Sequence, residues 1–151
     1  MIIRIVALLG IALIACKSSQ TNNIQEEALI SMEKTRCMGA CPVYKIEIYK
    51  NGKVVLDAEE NLTLKGKYEA QLSDDDVSGF IVAFEERDFF GFEDSYKSNV
   101  TDLPTTYISF NYEGRSKRIM DYYNAPEELK ELEKKVADLI DDLEWRKVKG
   151  N

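Results

Sequence analysis

Alternation of apolar and polar residues is the feature that most constrains how this chain can fold. Four runs between residues 28 and 72 place an apolar residue at every second position, which is typical of strands buried on one face. Asn51-Gly52 separates the second run from the third and is a strong signal for a hairpin turn. The pattern predicts an antiparallel sheet with one apolar and one wet face. The apolar positions are Ala28, Ile30 and Met32, then Tyr44, Ile46 and Ile48, then Val54, Leu56 and Ala58, then Leu64, Gly66, Tyr68, Ala70 and Leu72.

The second half of the chain alternates between helical and strand patterns. Ser73 and Asp76 form a capping-box signal before a helix predicted from about Asp74 to Arg87. The segment 88–104 is predicted to be a loop packed through its aromatic residues. A fifth strand is predicted at 106–112 and a sixth at 115–122, joined at Glu113-Gly114. A second helix is predicted after Pro126, because proline is well placed near a first turn.

The order β-β-β-β-α-β-β-α predicts an α+β domain, with two helices on one face of an antiparallel sheet of about six strands. This single domain is predicted over residues 28–146, followed by a C-terminal tail at 147–151. The apolar helix stripes are interpreted as core. Three aspartates open the first helix, and we interpret them as complementing its dipole, with a metal site as the less favoured alternative. The stripes are Val77, Phe80, Ile81 and Phe84, then Leu129, Leu132, Val136, Leu139, Ile140 and Leu143.

The N-terminus has the form of a secretory signal. Arg4 is followed by an uncharged apolar run from Ile5 to Ala15, too short for a membrane span of roughly 20 residues. The run ends in Leu-Ile-Ala-Cys16, which resembles the lipobox of bacterial lipoproteins. That resemblance implies a signal peptide at 1–15 and a membrane anchor of acyl chains on Cys16, with 16–27 as the lipidated cysteine and flexible tether. An ordinary signal peptide with a chance cysteine, or an uncleaved short anchor, is the alternative.

The expected location is the outer membrane, facing the periplasm, because Lys17 stands where the inner-membrane retention signal of enterobacterial lipoproteins has aspartate. Without residues 1–15 the chain keeps 19 basic and 27 acidic residues, a formal charge of −8. That balance argues against nucleic-acid binding, which requires a basic face. The chain contains no histidine, so neither Ser-His-Asp nor Cys-His catalysis is available.

One motif carries chemistry, Cys37-Met-Gly-Ala-Cys41-Pro42. In an oxidising compartment two cysteines most often form a disulfide, which here requires a turn that Gly39 permits. Pro42 directs Cys41 toward the extended strand that follows. Two alternatives stay open, a thiol-redox pair and a Cu(I) site of soft thiolates, since C-x₃-C-P also resembles the motif of thioredoxin-like copper chaperones. Those chaperones complete their site with a distant histidine, which this chain lacks.

The motifs together resemble an uncharacterised domain family of secreted and lipid-anchored bacterial proteins. The likeness spans about Leu29 to Trp145, with Met38 where an aromatic residue is expected. It implies a single α+β domain and brings no assigned activity, cofactor or partner. The residues that carry it are Cys37, Gly39, Cys41, Pro42 and Tyr44 in a C-x-G-x-C-P-x-Y pattern, Asn51-Gly52, Asp102 and Pro104 in Thr101-Asp-Leu-Pro-Thr-Thr, and Pro126 in Asp121-Tyr-Tyr-Asn-Ala-Pro.

The leading functional hypothesis is a non-enzymatic binding module that is anchored to a membrane and binds an envelope protein or a small ligand. No catalytic residue, cofactor or metal is assigned. Four tyrosines offer a contact surface, although packing under the loops or at the edge of the core is the favoured interpretation. The alternative is a periplasmic thiol-redox or Cu(I)-binding protein using Cys37 and Cys41. A hydrolase would rest on carboxylates alone. The tyrosines are Tyr44, Tyr107, Tyr122 and Tyr123, and the carboxylates are Glu85, Glu86, Glu93, Asp94 and Asp102.

Overall fold

The computed structural model describes residues 27–149. The predicted signal peptide, Cys16 and nearly all of the predicted tether lie outside this range. The described chain forms eight strands, two helices and one short 3₁₀ turn. In chain order they are β1 (Ile30–Lys34), β2 (Val43–Ile48), β3 (Lys53–Glu60), β4 (Gly66–Gln71), α1 (Asp74–Glu86), the 3₁₀ turn (Phe89–Gly91), β5 (Ser95–Tyr96), β6 (Thr106–Tyr112), β7 (Arg115–Asp121), α2 (Glu127–Asp142) and β8 (Arg146–Lys147).

All eight strands lie in one sheet, in the order β5-β7-β6-β1-β2-β3-β4-β8. The fold is α+β as predicted, but the prediction of about six strands in a purely antiparallel sheet was wrong. β5 pairs with β7 in parallel, which makes the sheet mixed, and β8 adds an antiparallel edge beside β4. Each extra strand has two residues, too few to establish a period-two pattern. The domain boundary drawn at residue 146 falls inside β8, and the amide of Val148 still donates to Lys67.

Both helices form close to their predicted positions. Ser73 caps α1 in a complete capping box, in which its side chain accepts from the Asp76 amide and the Asp76 carboxylate accepts in return. Pro126 is the N-cap residue of α2, and its carbonyl accepts from the amides of Leu129 and Lys130. Within the described residues, neither helix is both long and apolar enough to cross a membrane.

The core lies on one face of the sheet, beneath both helices. The apolar positions predicted for the first three strands are buried, Ile30, Met32, Ile46, Ile48 and Leu56 completely. In the fourth run Leu72 is buried, Leu64, Tyr68 and Ala70 are half-buried, and Gly66 is exposed. The predicted loop at 88–104 packs through aromatics around the buried Phe89, and it also contains the 3₁₀ turn and β5. Every core residue of the described chain falls between residues 28 and 145, so this range has a complete core of its own.

Different parts of the chain lie at the two ends of the sheet. β1 begins at Ile30, which pairs with Ile48 near the turn at Gly52, and ends at Lys34, which pairs with Tyr44. Four residue steps of about 3.3 Å place these ends about 13 Å apart. The chain therefore enters at one end of the sheet, and the cysteine motif follows β1 at the other.

Candidate functional site

Three segments distant in sequence meet at the end of the sheet where β1 finishes. We call this the motif end, made of residues 35–42, 100–105 and 121–126. The amide of Met38 donates to the carbonyl of Asp102 at 3.4 Å, and the amide of Thr35 donates to the carbonyl of Thr105 at 3.0 Å. The Tyr122 hydroxyl donates to the carbonyl of Val100 at 2.8 Å. Hydrogen bonds thus join each segment to a neighbour.

The first segment is closed by a disulfide between Cys37 and Cys41, whose Cα atoms are 5.9 Å apart. The predicted disulfide and turn are therefore confirmed. Gly39 lies in the bend, but it has no positive φ, and a Cβ there would meet only the Cys37 sulfur at 3.7 Å. The side chain of Asn61 donates to the carbonyl of Cys41 at 2.9 Å, which ties the loop to the end of β3.

The other two segments turn at residues in the left-handed backbone region. Asp102 has a φ of 73° and Asn124 a φ of 63°. Asparagine and aspartate tolerate this region better than other non-glycine residues, which accounts for their positions in these loops. Pro104, two residues after Asp102, is half-buried. Pro126, two residues after Asn124, is the N-cap residue of α2. The site residues Asp102, Pro104 and Pro126 therefore shape the loops.

Large apolar side chains are exposed at the motif end, and we call them the apolar rim. They are Met38 at 82%, Tyr123 at 44%, Val100 at 39% and Leu103 at 37% exposed. The remaining exposed large apolar side chains of the described chain, Val82 and Val148, lie elsewhere on the surface. The rim residues lie on the three loops that these hydrogen bonds join.

A buried pair of carboxyl groups lies behind the rim. The Asp121 side chain is fully buried and that of Glu133 is 7% exposed, and Lys130 contacts both. Burial raises the pKa of Glu133 to about 7, and the charge of Asp121 adds to this rise, while Lys130 opposes it. One oxygen of each carboxyl, Asp121 Oδ1 and Glu133 Oε1, has no hydrogen-bond partner in the described chain. A proton on Glu133 would turn its carboxyl group into a hydrogen-bond donor, which both unpartnered oxygens lack.

Sequence analysis missed this pair, although Asp121 opens one of the motif segments. In the sequence, Glu133 directly follows Leu132, which belongs to the apolar stripe of α2. Charged residues are rarely buried, however, and nothing in the local sequence indicates that Glu133 is an exception. The contact depends on α2 packing over β7, which only the tertiary structure brings together.

Tyr44 lies in the same cross-strand row as this pair. Tyr44 pairs with Lys34, Lys34 with Thr106, and Thr106 with Asp121, so all four point to the helix-covered face. Tyr44 is 3% exposed. Burial raises its pKa to about 12, with a smaller contribution from the charge of Glu133. Tyr44 therefore packs in the core, as the favoured interpretation held.

The other tyrosines differ in exposure. Tyr122 is half-buried under the loop at 100–103, and Tyr107 lies on the opposite sheet face with the Arg118 guanidinium 3.9 Å from its ring centroid. Tyr123 alone among the four predicted tyrosines has a largely exposed side chain.

Two open cavities flank the row at the motif end. The first has a volume of about 520 Å³ and the second about 580 Å³, and Lys34 and Ala137 line both. The first also includes Pro104, Asp121, Tyr122 and Glu133. The second cavity has an apolar part, formed by Pro42, Tyr44, Leu62, Leu64, Ile140 and Trp145, and a polar part that includes Asn61, Thr63 and Asp141.

The carboxylates considered for a hydrolase do not form one site. Glu85 lies 3.6 Å from Arg115, and Asp94 lies 3.1 Å from Lys117, so each is in a separate surface ion pair. Asp102 accepts from the hydroxyl of Thr101 at the motif end. Across residues 27–149, no three or more Cys, Asp or Glu side chains are grouped to hold a metal ion.

Comparison with known sequences places this fold in a family. The profile of a domain of unknown function, DUF6438, matches residues 28–140. The chain belongs to the DUF6438 family. The match covers β1 to β7 and most of α2, and so includes all three segments of the motif end. No curated protein and no solved structure matches this DUF6438 chain significantly.

Proposed function

We propose that this DUF6438 protein is a lipid-anchored binding module of the bacterial envelope, without catalytic activity. Its binding surface is the motif end, and the apolar rim contacts an envelope protein. The C-x-G-x-C-P-x-Y pattern, the D-x-P turn and the A-P helix start carry the resemblance to the family, and they build this surface.

One observation carries the proposal, the convergence of three sequence-distant loops beneath an exposed apolar rim. Soluble surfaces seldom concentrate large apolar side chains without a partner to cover them. Tyrosine and methionine are also enriched where proteins meet. The disulfide at Cys37 and Cys41 limits the freedom of the rim loop, and a pre-organised loop loses less entropy on binding.

The position of the anchor agrees with such a role. The proposed lipidated Cys16 precedes β1, so the tether joins the sheet at the end opposite the motif end. A flexible tether over 17–25 has a root-mean-square reach of about 16 Å. The motif end thus lies on the side of the domain away from the point of attachment. A partner in the periplasm can reach it there.

Site-specific photo-crosslinking in the native host tests the proposal. The crosslinking residue replaces Met38, Leu103 or Tyr123 in the rim, and Val82 or Val148 in the control positions. All five side chains are exposed and apolar or aromatic, so the positions differ mainly in location. We expect one adduct of discrete mass from the rim positions and none from the controls. Equal adducts at all positions, or none at the rim, would rule out this surface.

A further inference from the structure

The two cavities at the motif end share a lysine that has no partner among residues 27–149. Lys34 ends β1 and points to the helix-covered face, because its register partners Tyr44 and Thr106 are both buried there. The Lys34 ammonium makes no hydrogen bond or ion pair with residues 27–149. A cation on the core side of a sheet needs water or an anion to compensate its lost hydration.

The charged neighbours of Lys34 in the first cavity are already paired with one another. In the first cavity, Lys130 holds Asp121 and Glu133, and Lys134 bonds the exposed Asp138 at 2.7 Å. The carboxyl groups of Asp121 and Glu133, at the bottom of this cavity, repel an anion that enters deeply. Lys34 is therefore the charged group at the junction that is free to bind an anionic group.

The second cavity provides an apolar surface next to that charge. Its walls combine Leu62 and Leu64, which follow β3, with Ile140 on α2 and Trp145 beyond it. The Trp145 indole donates to the Ile140 carbonyl at 2.9 Å, so its ring is held in the wall. Asp141 also lines this cavity but is exposed, where water hydrates its charge. The volume of about 580 Å³ falls within the range of small-molecule sites.

We infer that this cleft binds an amphipathic carboxylate, with the carboxylate on Lys34 and the alkyl chain along Leu62, Leu64 and Trp145. Charge complementarity selects the head group, and the apolar wall accepts the tail. Each buried methylene is expected to tighten binding about fourfold. No residue of the apolar rim lines this site, and it does not depend on the rim's protein partner, so either proposal can fail alone.

Trp145 is the only tryptophan of the chain, so its fluorescence reports on the second cavity alone. The test uses the chain from Lys17 onward, which retains the complete described core, and dodecanoate brominated near its methyl end, kept below micelle concentration. We expect saturable quenching by the carboxylate, and binding weaker by about tenfold for the brominated alcohol of equal length, since a charged hydrogen bond is lost.

Variants separate the charge from the apolar contact. Lys34→Met keeps the apolar stem and is expected to weaken carboxylate binding about tenfold while leaving the alcohol unchanged. Lys34→Arg should retain carboxylate binding. Lys45→Met, on the opposite sheet face of the neighbouring strand, is the matched control and should have no effect. Absent quenching by the carboxylate, or equal affinity for carboxylate and alcohol in the unsubstituted chain, would overturn the inference whether or not a variant folds.

Discussion

At the scale of single residues, the buried Glu133 and Asp121 pair is the arrangement most sensitive to conditions. Both carboxyls lie between α2 and β7, and Lys130 supplies one cation for two acids. Burial of a second negative charge is unfavourable, which is why the pKa of Glu133 rises to about 7. The folded protein therefore binds a proton that the unfolded chain releases above its ordinary pKa of 4.5.

We expect Glu133→Gln to remove part of the pH dependence of stability. A raised folded-state pKa gives a contribution that is complete below about pH 4.5 and is lost as pH rises through about 7. The amide imitates the protonated acid, so the variant should be more stable than the parent at pH 8, by about 3 kcal/mol. Urea unfolding at pH 5 and pH 8 measures this. The exposed Glu128→Gln on the same helix is the control, and an unchanged pH slope in Glu133→Gln would contradict the account.

The disulfide is the second residue-scale feature, and its expected role is structural. Replacing both Cys37 and Cys41 with serine should lower the free energy of unfolding by about 2 kcal/mol, the loop-entropy value for so small a ring. Titration against redox buffers, with alkylation read by mass spectrometry, should give a reduction potential below about −300 mV. A potential between about −200 and −120 mV, or uptake of Cu(I) by free thiols, would instead favour the thiol-redox or copper alternative.

At the scale of elements, the period-two and 3.6-residue patterns located the long strands and both helices. Ser73 and Asp76 set the start of α1, and Pro126 set that of α2, because capping is a local interaction. β5 and β8 were missed because their two residues pair only after β7 and β4 lie next to them. Strands of that length have no pattern of their own to detect.

Gly52, in the turn between β2 and β3, and Gly39, in the disulfide loop, give a matched comparison of two glycines. Gly52 has a φ of +78°, and an added Cβ would lie 2.5 Å from the carbonyl oxygen of Leu72. We expect Gly52→Ala to destabilise the fold by about 2 kcal/mol or more, through backbone strain and this clash. Gly39→Ala should change stability by less than about 0.5 kcal/mol, because its added Cβ makes only ordinary contact. Chemical denaturation of both variants tests the contrast, and equal effects would contradict it.

At the scale of the whole molecule, we propose that the two ends of the sheet have different functions. The chain enters β1 at one end, and the disulfide loop, the Asp102 turn and the start of α2 gather at the other. The charged face that the helices leave uncovered carries ion pairs such as Glu33 with Arg118, 3.6 Å apart. The apolar rim at the motif end contrasts with that face.

The anchor is a prediction about the whole chain in its cell. Metabolic labelling with palmitate should modify the parent protein, and mass spectrometry should find Cys16 as the acylated N-terminus. Cys16→Ser should abolish labelling and leave the precursor uncleaved, because lipidation precedes cleavage in this pathway. Cys37→Ser is the control for cysteine loss in general and should be labelled normally. Labelling that persists in Cys16→Ser would exclude the lipobox interpretation.

Sequence alone determined the α+β class, the positions of the long elements and most of the core residues, and it favoured the disulfide. Those features follow from interactions between near neighbours and from the alternation that burial of one face imposes. The mixed sheet, the apolar rim, the Asp121 and Glu133 pair and the unpaired Lys34 were decided only by the tertiary structure. Each depends on residues far apart in the chain, such as Lys34 and Ala137 or Asp121 and Glu133, and no local pattern records which distant side chains share a space.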